Sequence, residues 1–239
     1  MSWTDTLTTY IDQYDTKLSR RAVGCSEREL RRFESVLPAP LSEAHREFLL
    51  AFGENDGGLF EADGFDTSLA TIQAYSRDYQ NDYGADFLRR FDVFASSPAV
   101  EAVTIERGVV GHEPVVFMAN DHRHPTWSPL ADSLPTLCFG TAFIREMKLR
   151  FGRCLMTRGP ASRASSLRDH LRSEEVSEES FSDSISWYGR RGRETLVAAV
   201  RETAAPYISI YLCGASASSL SRMLAGELQL TEPRPSAFA

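Results

Sequence analysis

His112, Asp121, His122 and His124 are the residues of this 239-residue chain whose types best suit chemistry. Imidazoles and a carboxylate can ligate a metal ion or exchange a proton near neutral pH. Their spacing, however, fits no regular ligand motif. His122 and His124 would share one side of a strand, yet Arg123 and Pro125 around them favour a loop, and no second ligand pair follows at the usual interval. The cluster therefore reads more readily as a satisfied or solvent-facing loop than as a metal site, with a metal-dependent hydrolase as the alternative. Nucleophilic chemistry has less support: no Gly-x-Ser-x-Gly occurs, and Ser133, Ser165 and Cys138 have no recognisable partner. Gly152 and Gly159 stand near Arg153 and Arg158 without a phosphate-binding fingerprint. Cys25, Cys138, Cys154 and Cys213 form no close pair in sequence, which indicates neither a zinc ribbon nor a disulfide framework but small hydrophobes in a reducing compartment. The expectation is a protein without metal or cofactor that is not an enzyme.

Charge narrows the class of partner. There are 26 basic and 33 acidic residues, for a net charge of -7 and a pI near 5.3, which argues against nucleic-acid binding and fits a basic protein partner. Plain solubility accounts for the same charge. The opening residues Met1 to Asp5 lack the basic region and apolar run of a signal peptide, and no run of about 18 apolar residues suggests a membrane span. A cytoplasmic protein with no membrane association is expected.

The elements that would position a binding site centre on residues 37 to 60. Pro38 and Pro40 exclude helix at the residues before them, so a helix must start after Leu41, with Ser42 as its cap and Glu43 favoured by the macrodipole. Ala44, His45, Phe48, Leu49 and Phe52 fall on one face, and Gly53 marks the stop. Asn55, Asp56, Gly57 and Gly58 then read as a turn of positive φ leading into an apolar strand at Leu59 and Phe60. Carboxylates crowd this turn: Glu54, Asp56, Glu61, Asp63 and Asp66 are candidate contacts for a basic partner. Trp127, between Pro125 and Pro129, is a further candidate anchor, although a rigid packed loop is its plainer reading.

In this order Glu34, Leu37, Pro38, Phe48, Leu49, Gly57 and Gly58 resemble the SUKH superfamily: a helix carrying Glu, a Leu-Pro, a helix ending in Phe-Leu, and a Gly-Gly turn. The resemblance covers roughly 40 residues closely and the first 150 loosely. It implies binding and not catalysis, because the family consists mostly of bacterial immunity proteins that neutralise polymorphic toxins, together with scaffolds such as the fungal cell-wall-assembly regulator. The implied function is stoichiometric neutralisation of a basic bacterial toxin domain such as a nuclease, with a regulatory scaffold as the further alternative. It also places a central sheet after the Gly-Gly turn, with Asn120 and Asp121 supplying a turn and a helix closing the domain.

Along the rest of the chain, Trp3, Leu7, Tyr10, Ile11, Tyr14 and Leu18 predict one helix over 3–18. Ser26 and Glu29 form a capping-box pattern before a helix that buries Leu30, Phe33 and Leu37 and ends at Pro38. Residues 69–83 predict a helix, 87–119 a meander of antiparallel strands, 134–139 a short strand and 141–151 a helix. The Ser-rich stretch 157–186 reads as a surface loop or linker with at most a short helix near Leu167 to Leu171. A helix over 193–204, a strand over 207–213, a helix over 217–228 and a mobile tail from Pro233 complete the chain. The expected fold is α+β: a SUKH-like domain over 1–155 with a mostly antiparallel central sheet flanked by helices, a charged linker over 156–186, and an α-β-α extension over 187–239.

Overall fold

Ser2 starts the first helix, α1 (Trp3–Asp12), through a capping box with Asp5. The apolar spacing continues to Leu18, but Asp15 interrupts the helix: its carboxylate accepts from the amides of Lys17 and Leu18 and starts a second one, α2 (Thr16–Arg21). The expected single helix is thus two. The computed structural model describes residues 1–61, 64–97, 102–107, 116–119, 127–201, 207–228 and 234–237. Its fold is α+β, and every described strand pairing is antiparallel. The chain divides into two units, Met1–Thr141 and Ala142–Ala239.

In the first unit, β1 (Ala22–Val23) leads to α3 (Glu27–Glu34), which the expected Ser26/Glu29 capping box starts. The helix ends before Pro38, in a tight turn at Ser35–Leu37, because a residue preceding proline disfavours helical geometry. Leu37 is consequently half-buried and not core. Helix α4 (Glu43–Phe52) follows with Ser42 capping His45, as the sequence predicts. The strand β2 (Asn55–Asp56) pairs with β1, and the turn after it replaces the expected strand at Leu59 and Phe60. Both apolar side chains are nevertheless buried. Helix α5 (Leu69–Tyr83) matches its predicted bounds, and α6 (Ala85–Arg90) hands the chain to the meander. Strands β3 (Phe91–Ser96), β4 (Ala102–Glu106), β5 (Val116–Ala119) and β6 (Trp127–Ala131) pair in sequence order. Trp127 therefore begins an edge strand opposite Ala119 instead of sitting in a loop, and Pro129 is tolerated in that strand because an edge leaves one side of the ladder unpaired.

Phe48 is the centre of this unit's core. Its ring lies 4.9 Å from Phe94, 5.2 Å from Phe52 and 6.4 Å from both Phe60 and Trp3, which ties α4 to α1, the turn and β3. The contacts with Phe94 and Phe60 are edge-to-face, an arrangement that adds about 0.5–1.5 kcal/mol per pair beyond the area buried. Phe48 and Leu49 are fully buried.

The expected strand at 134–139 is the start of a long helix, α7 (Leu134–Phe151), which crosses the division between the units. Ser133 caps it, accepting from the Thr136 amide, and Pro135 fits in the first turn, where its missing N–H would have had no partner. The second unit holds a six-stranded sheet in the order β12-β7-β11-β10-β9-β8. Its strands are β7 (Arg153–Pro160), β8 (Ser177–Glu178), β9 (Ser186–Arg191), β10 (Thr195–Arg201), β11 (Tyr207–Gly214) and β12 (Arg234–Ala237), with α8 (Ala164–Ser173) and α9 (Ala217–Leu228). Leu167 and Leu171 of α8 and Leu220 and Leu224 of α9 share one core cluster with Trp187, Val197, Ile208 and Ile210.

Three expectations change here. The Ser-rich stretch carries β7, α8 and β8, since Leu167 and Leu171 give α8 an apolar stripe and Arg172 pairs with Glu178 at 2.5 Å across the turn. The helix expected over 193–204 is the central strand β10, whose Leu196, Val197, Ala198 and Ala199 are all fully buried between β9 and β11. A strand covered on both faces shows a continuous apolar run without alternation, which periodicity cannot separate from a helix. The tail from Arg234 to Ala237 pairs with β7. Among the described residues, no helix is long and apolar enough to cross a membrane.

Candidate functional site

The Gly-Gly turn and its carboxylates form the floor and rim of an open cleft of about 660 Å³ in the first unit. Asp56 builds it. Its carboxylate accepts from the amides of Gly58 (2.7 Å), Leu59 (3.1 Å) and Phe60 (3.1 Å) and from the Thr67 hydroxyl (3.1 Å). Asn55 Oδ1 accepts from the Gly57 amide at 2.7 Å, and Arg21 donates to the Gly57 carbonyl at 2.6 Å. Gly57 and Gly58 both have positive φ, +74° and +89°. They differ in what surrounds them. A Cβ on Gly57 would lie 2.3 Å from the Leu18 carbonyl oxygen, whereas on Gly58 it would meet the movable end of Glu61 at 2.7 Å. Gly57→Val should therefore destabilise the protein by more than about 2 kcal/mol, through left-handed strain plus a backbone clash. Gly58→Ala should lose about 1 kcal/mol. Thermal melts of the two variants check this ranking, and equal melting temperatures would refute it.

The five acidic candidates have different positions. Asp66 accepts from the Ser68 amide (2.8 Å) and the Thr71 hydroxyl (2.6 Å), and its backbone bridges Ser96. Burial raises its pKa, but the Thr71 and Ser68 hydrogen bonds outweigh that and hold the carboxyl below its ordinary value. Asp56 and Asp66 are thus occupied by the fold. Glu54 and Glu61 are exposed on the same cleft, and no hydrogen bond or ion pair among the described residues uses their carboxylates. Asp63 and the cluster His112, Asp121, His122 and His124 lie outside the described residues, as do Asn120 and Asp121 of the expected turn. Among the described residues no group of three or more His, Cys, Asp or Glu side chains is placed to hold a metal ion. Glu34 pairs with Arg46, which also reaches Glu27 at 2.5 Å, so this acidic residue of the motif ties α3 to α4.

Of the buried polar group beneath α4, the sequence shows only that His45 shares the apolar face of the helix; the contributions of Asp92 and Arg107 have no signature there. His45 is fully buried, its ring edge-on to Phe94 at 5.8 Å, and neither ring nitrogen has a hydrogen-bond partner among the described residues. Burial, reinforced by the charge of Arg107, pushes its pKa down to about 3. Arg107 donates to the carbonyls of Ala39 and Pro40, both at 2.7 Å, and to the carboxylate of Asp92. Asp92 is 2% exposed, and burial raises its pKa to about 7 despite the neighbouring guanidinium. Desolvation outweighs attraction in this pair, as is common for buried ions. The group clamps the Pro38–Pro40 segment to β3 and the residue after β4. Its members are separated by up to 62 positions in sequence; the pairing of Asp92 with Ile105 brings Arg107 to Asp92, and packing of α4 on Phe94 brings His45 beside them.

In the second unit, Cys154 of β7 and Cys213 of β11 hydrogen-bond through sulfur although 59 residues separate them. That bond lowers the Cys154 pKa and raises that of Cys213. All four cysteines are free thiols. Searches with protein-family models, among curated proteins and among solved structures find no match to this chain.

Proposed function

We propose that this chain is a binding protein of the toxin-immunity kind, which neutralises a basic bacterial toxin domain by occupying it stoichiometrically. The observation that carries the proposal is the cleft: Glu54 and Glu61 present carboxylates that no hydrogen bond or ion pair among the described residues uses, over a floor held by the hydrogen bonds to Asp56. The residues Glu34, Leu37, Pro38, Phe48, Leu49, Gly57 and Gly58 resemble the SUKH pattern, and Gly57 and Gly58 of that set line this cleft. A toxin that acts on an anionic backbone carries a basic active site, and clustered carboxylates oppose it directly. Exposed charges act mainly by steering encounter, and salt screens them beyond about 8 Å at physiological ionic strength. Packing around them governs dissociation.

The fold restricts which carboxylates can take this part. Neutralising Asp56 would release three backbone amides, so its loss tests folding and not recognition. The informative variant is Glu54→Gln with Glu61→Gln. Co-expression with the product of the adjacent gene should restore growth. The double variant should associate about tenfold more slowly at low salt, with a flatter salt dependence and an unchanged melting temperature. Failure of the wild-type protein to rescue growth would count against immunity, and rescue with a salt-insensitive association rate would remove the charge mechanism.

A further inference from the structure

We propose that a trough between α3 and α5 is a docking surface for an extended, acidic and apolar peptide segment of a protein partner. A hollow of about 320 Å³ lies between these helices, with Phe33 and Leu88 in its floor and Leu37 and Val36 at its side. Val36 is 73% exposed and stands beside this apolar floor, which extends the apolar surface of the trough to its rim. The rim is basic and amidic: Arg32 comes from α3 and Arg77 from α5, with Gln73 and Gln80 on the same wall. No ion pair or hydrogen bond among the described residues engages these four side chains. In a chain of net charge -7, two arginines left unpaired over an apolar floor give this surface a sign opposite to that of the molecule. That favours carboxylates flanking an apolar anchor, because arginine binds carboxylate through a two-pronged contact while the floor covers the aliphatic group.

The trough is also long enough for a strand. Arg32 and Gln73 line both this hollow and a neighbouring one of about 440 Å³, which in turn shares Glu54 and Ser68 with the acidic cleft. The run from Leu69 to Gln80 along α5 measures about 16 Å at the helical rise of about 1.5 Å per residue. That is the reach of about five residues of extended chain. A segment seated here would place its acidic, apolar end at Arg32 and Arg77, and its continuation toward Glu29 and Glu54 of the neighbouring hollow would carry no carboxylate. The inference deepens the binding role proposed above and relies on it only for the source of the segment.

The test uses three fluorescein-labelled hexapeptides with capped ends: one alternating Glu with Leu, one with Lys in place of Glu, and one with Ser in place of Leu. Anisotropy titrations at low salt should show saturable binding of the Glu/Leu peptide alone. Arg32→Glu with Arg77→Glu should weaken it at least tenfold and admit the Lys/Leu peptide, at an unchanged melting temperature. Val36→Asp should weaken it independently of the arginines. No saturable binding, or equal affinity for the charge-reversed variant, would overturn the proposal. So would arginine-dependent sedimentation with phosphatidylserine vesicles in the absence of peptide binding, which would assign the trough to a membrane surface. If the peptide binds and no toxin is neutralised, the trough stands and immunity fails; the converse result separates them the other way.

Discussion

Replacing His45 with Phe should make the protein more resistant to acid, by an amount that grows as the pH falls. In the folded state the imidazole is enclosed by apolar rings beside Arg107, which holds its pKa at about 3, against 6.5 for an ordinary histidine. Below pH 6.5 the unfolded chain takes up a proton that the folded chain refuses. Stability is therefore fully present above that value and is lost as the pH falls toward 3. Each pH unit within this window corresponds to about 1.4 kcal/mol for one fully coupled proton. At pH 4 the difference between His45→Phe and wild type should exceed its value at pH 7.5 by about 3 kcal/mol. Asp92 works in the opposite direction: with its pKa raised to about 7, it contributes stability at low pH that is lost as the pH rises from about 4 through 7. Asp92 is present in both proteins, so the comparison isolates the histidine. Urea denaturation of the pair at a series of pH values measures the gap, and a pH-independent gap would show that His45 keeps an ordinary pKa in the folded state.

Arg107→Met should be among the most damaging single changes at alkaline pH. It removes the counter-charge of a carboxylate that is 2% exposed and also two hydrogen bonds to the Ala39 and Pro40 carbonyls. Stranding one member of a buried ion pair costs about 3–5 kcal/mol. The loss should shrink at pH 5, because Asp92 can then take a proton and become neutral. Adding Asp92→Asn to Arg107→Met should recover about 2 kcal/mol at pH 8, a coupling that a double-mutant cycle isolates. A loss that is the same at pH 5 and pH 8, together with zero coupling, would mean that the pair contributes through shape alone.

Short-range signals determined the elements whose boundaries local chemistry sets. The capping groups Ser26 with Glu29 and Ser42 start helices where the sequence places them, because a side-chain oxygen beside free amides needs no distant partner. The positive φ of Gly57 and Gly58 was equally legible, as was the crowding of carboxylates around them. Tertiary structure decided what those carboxylates do. Asp56 and Asp66 are bound into the turn while Glu54 and Glu61 face the cleft, a division that depends on where the chain returns with Thr67 and Thr71. It also decided the identity of β10: Leu196 to Ala199 suit a helix or a strand by composition, and only β9 and β11 on either side make the strand the lower state. His45 was legible only as one residue of an apolar helix face, and its link to Asp92 and Arg107 gave no sign in the sequence, since such a histidine looks the same whether or not a guanidinium from beyond a distant strand approaches it. Local hydrogen bonding can be read from neighbouring letters, but desolvation and long-range pairing depend on which surfaces the finished fold brings into contact.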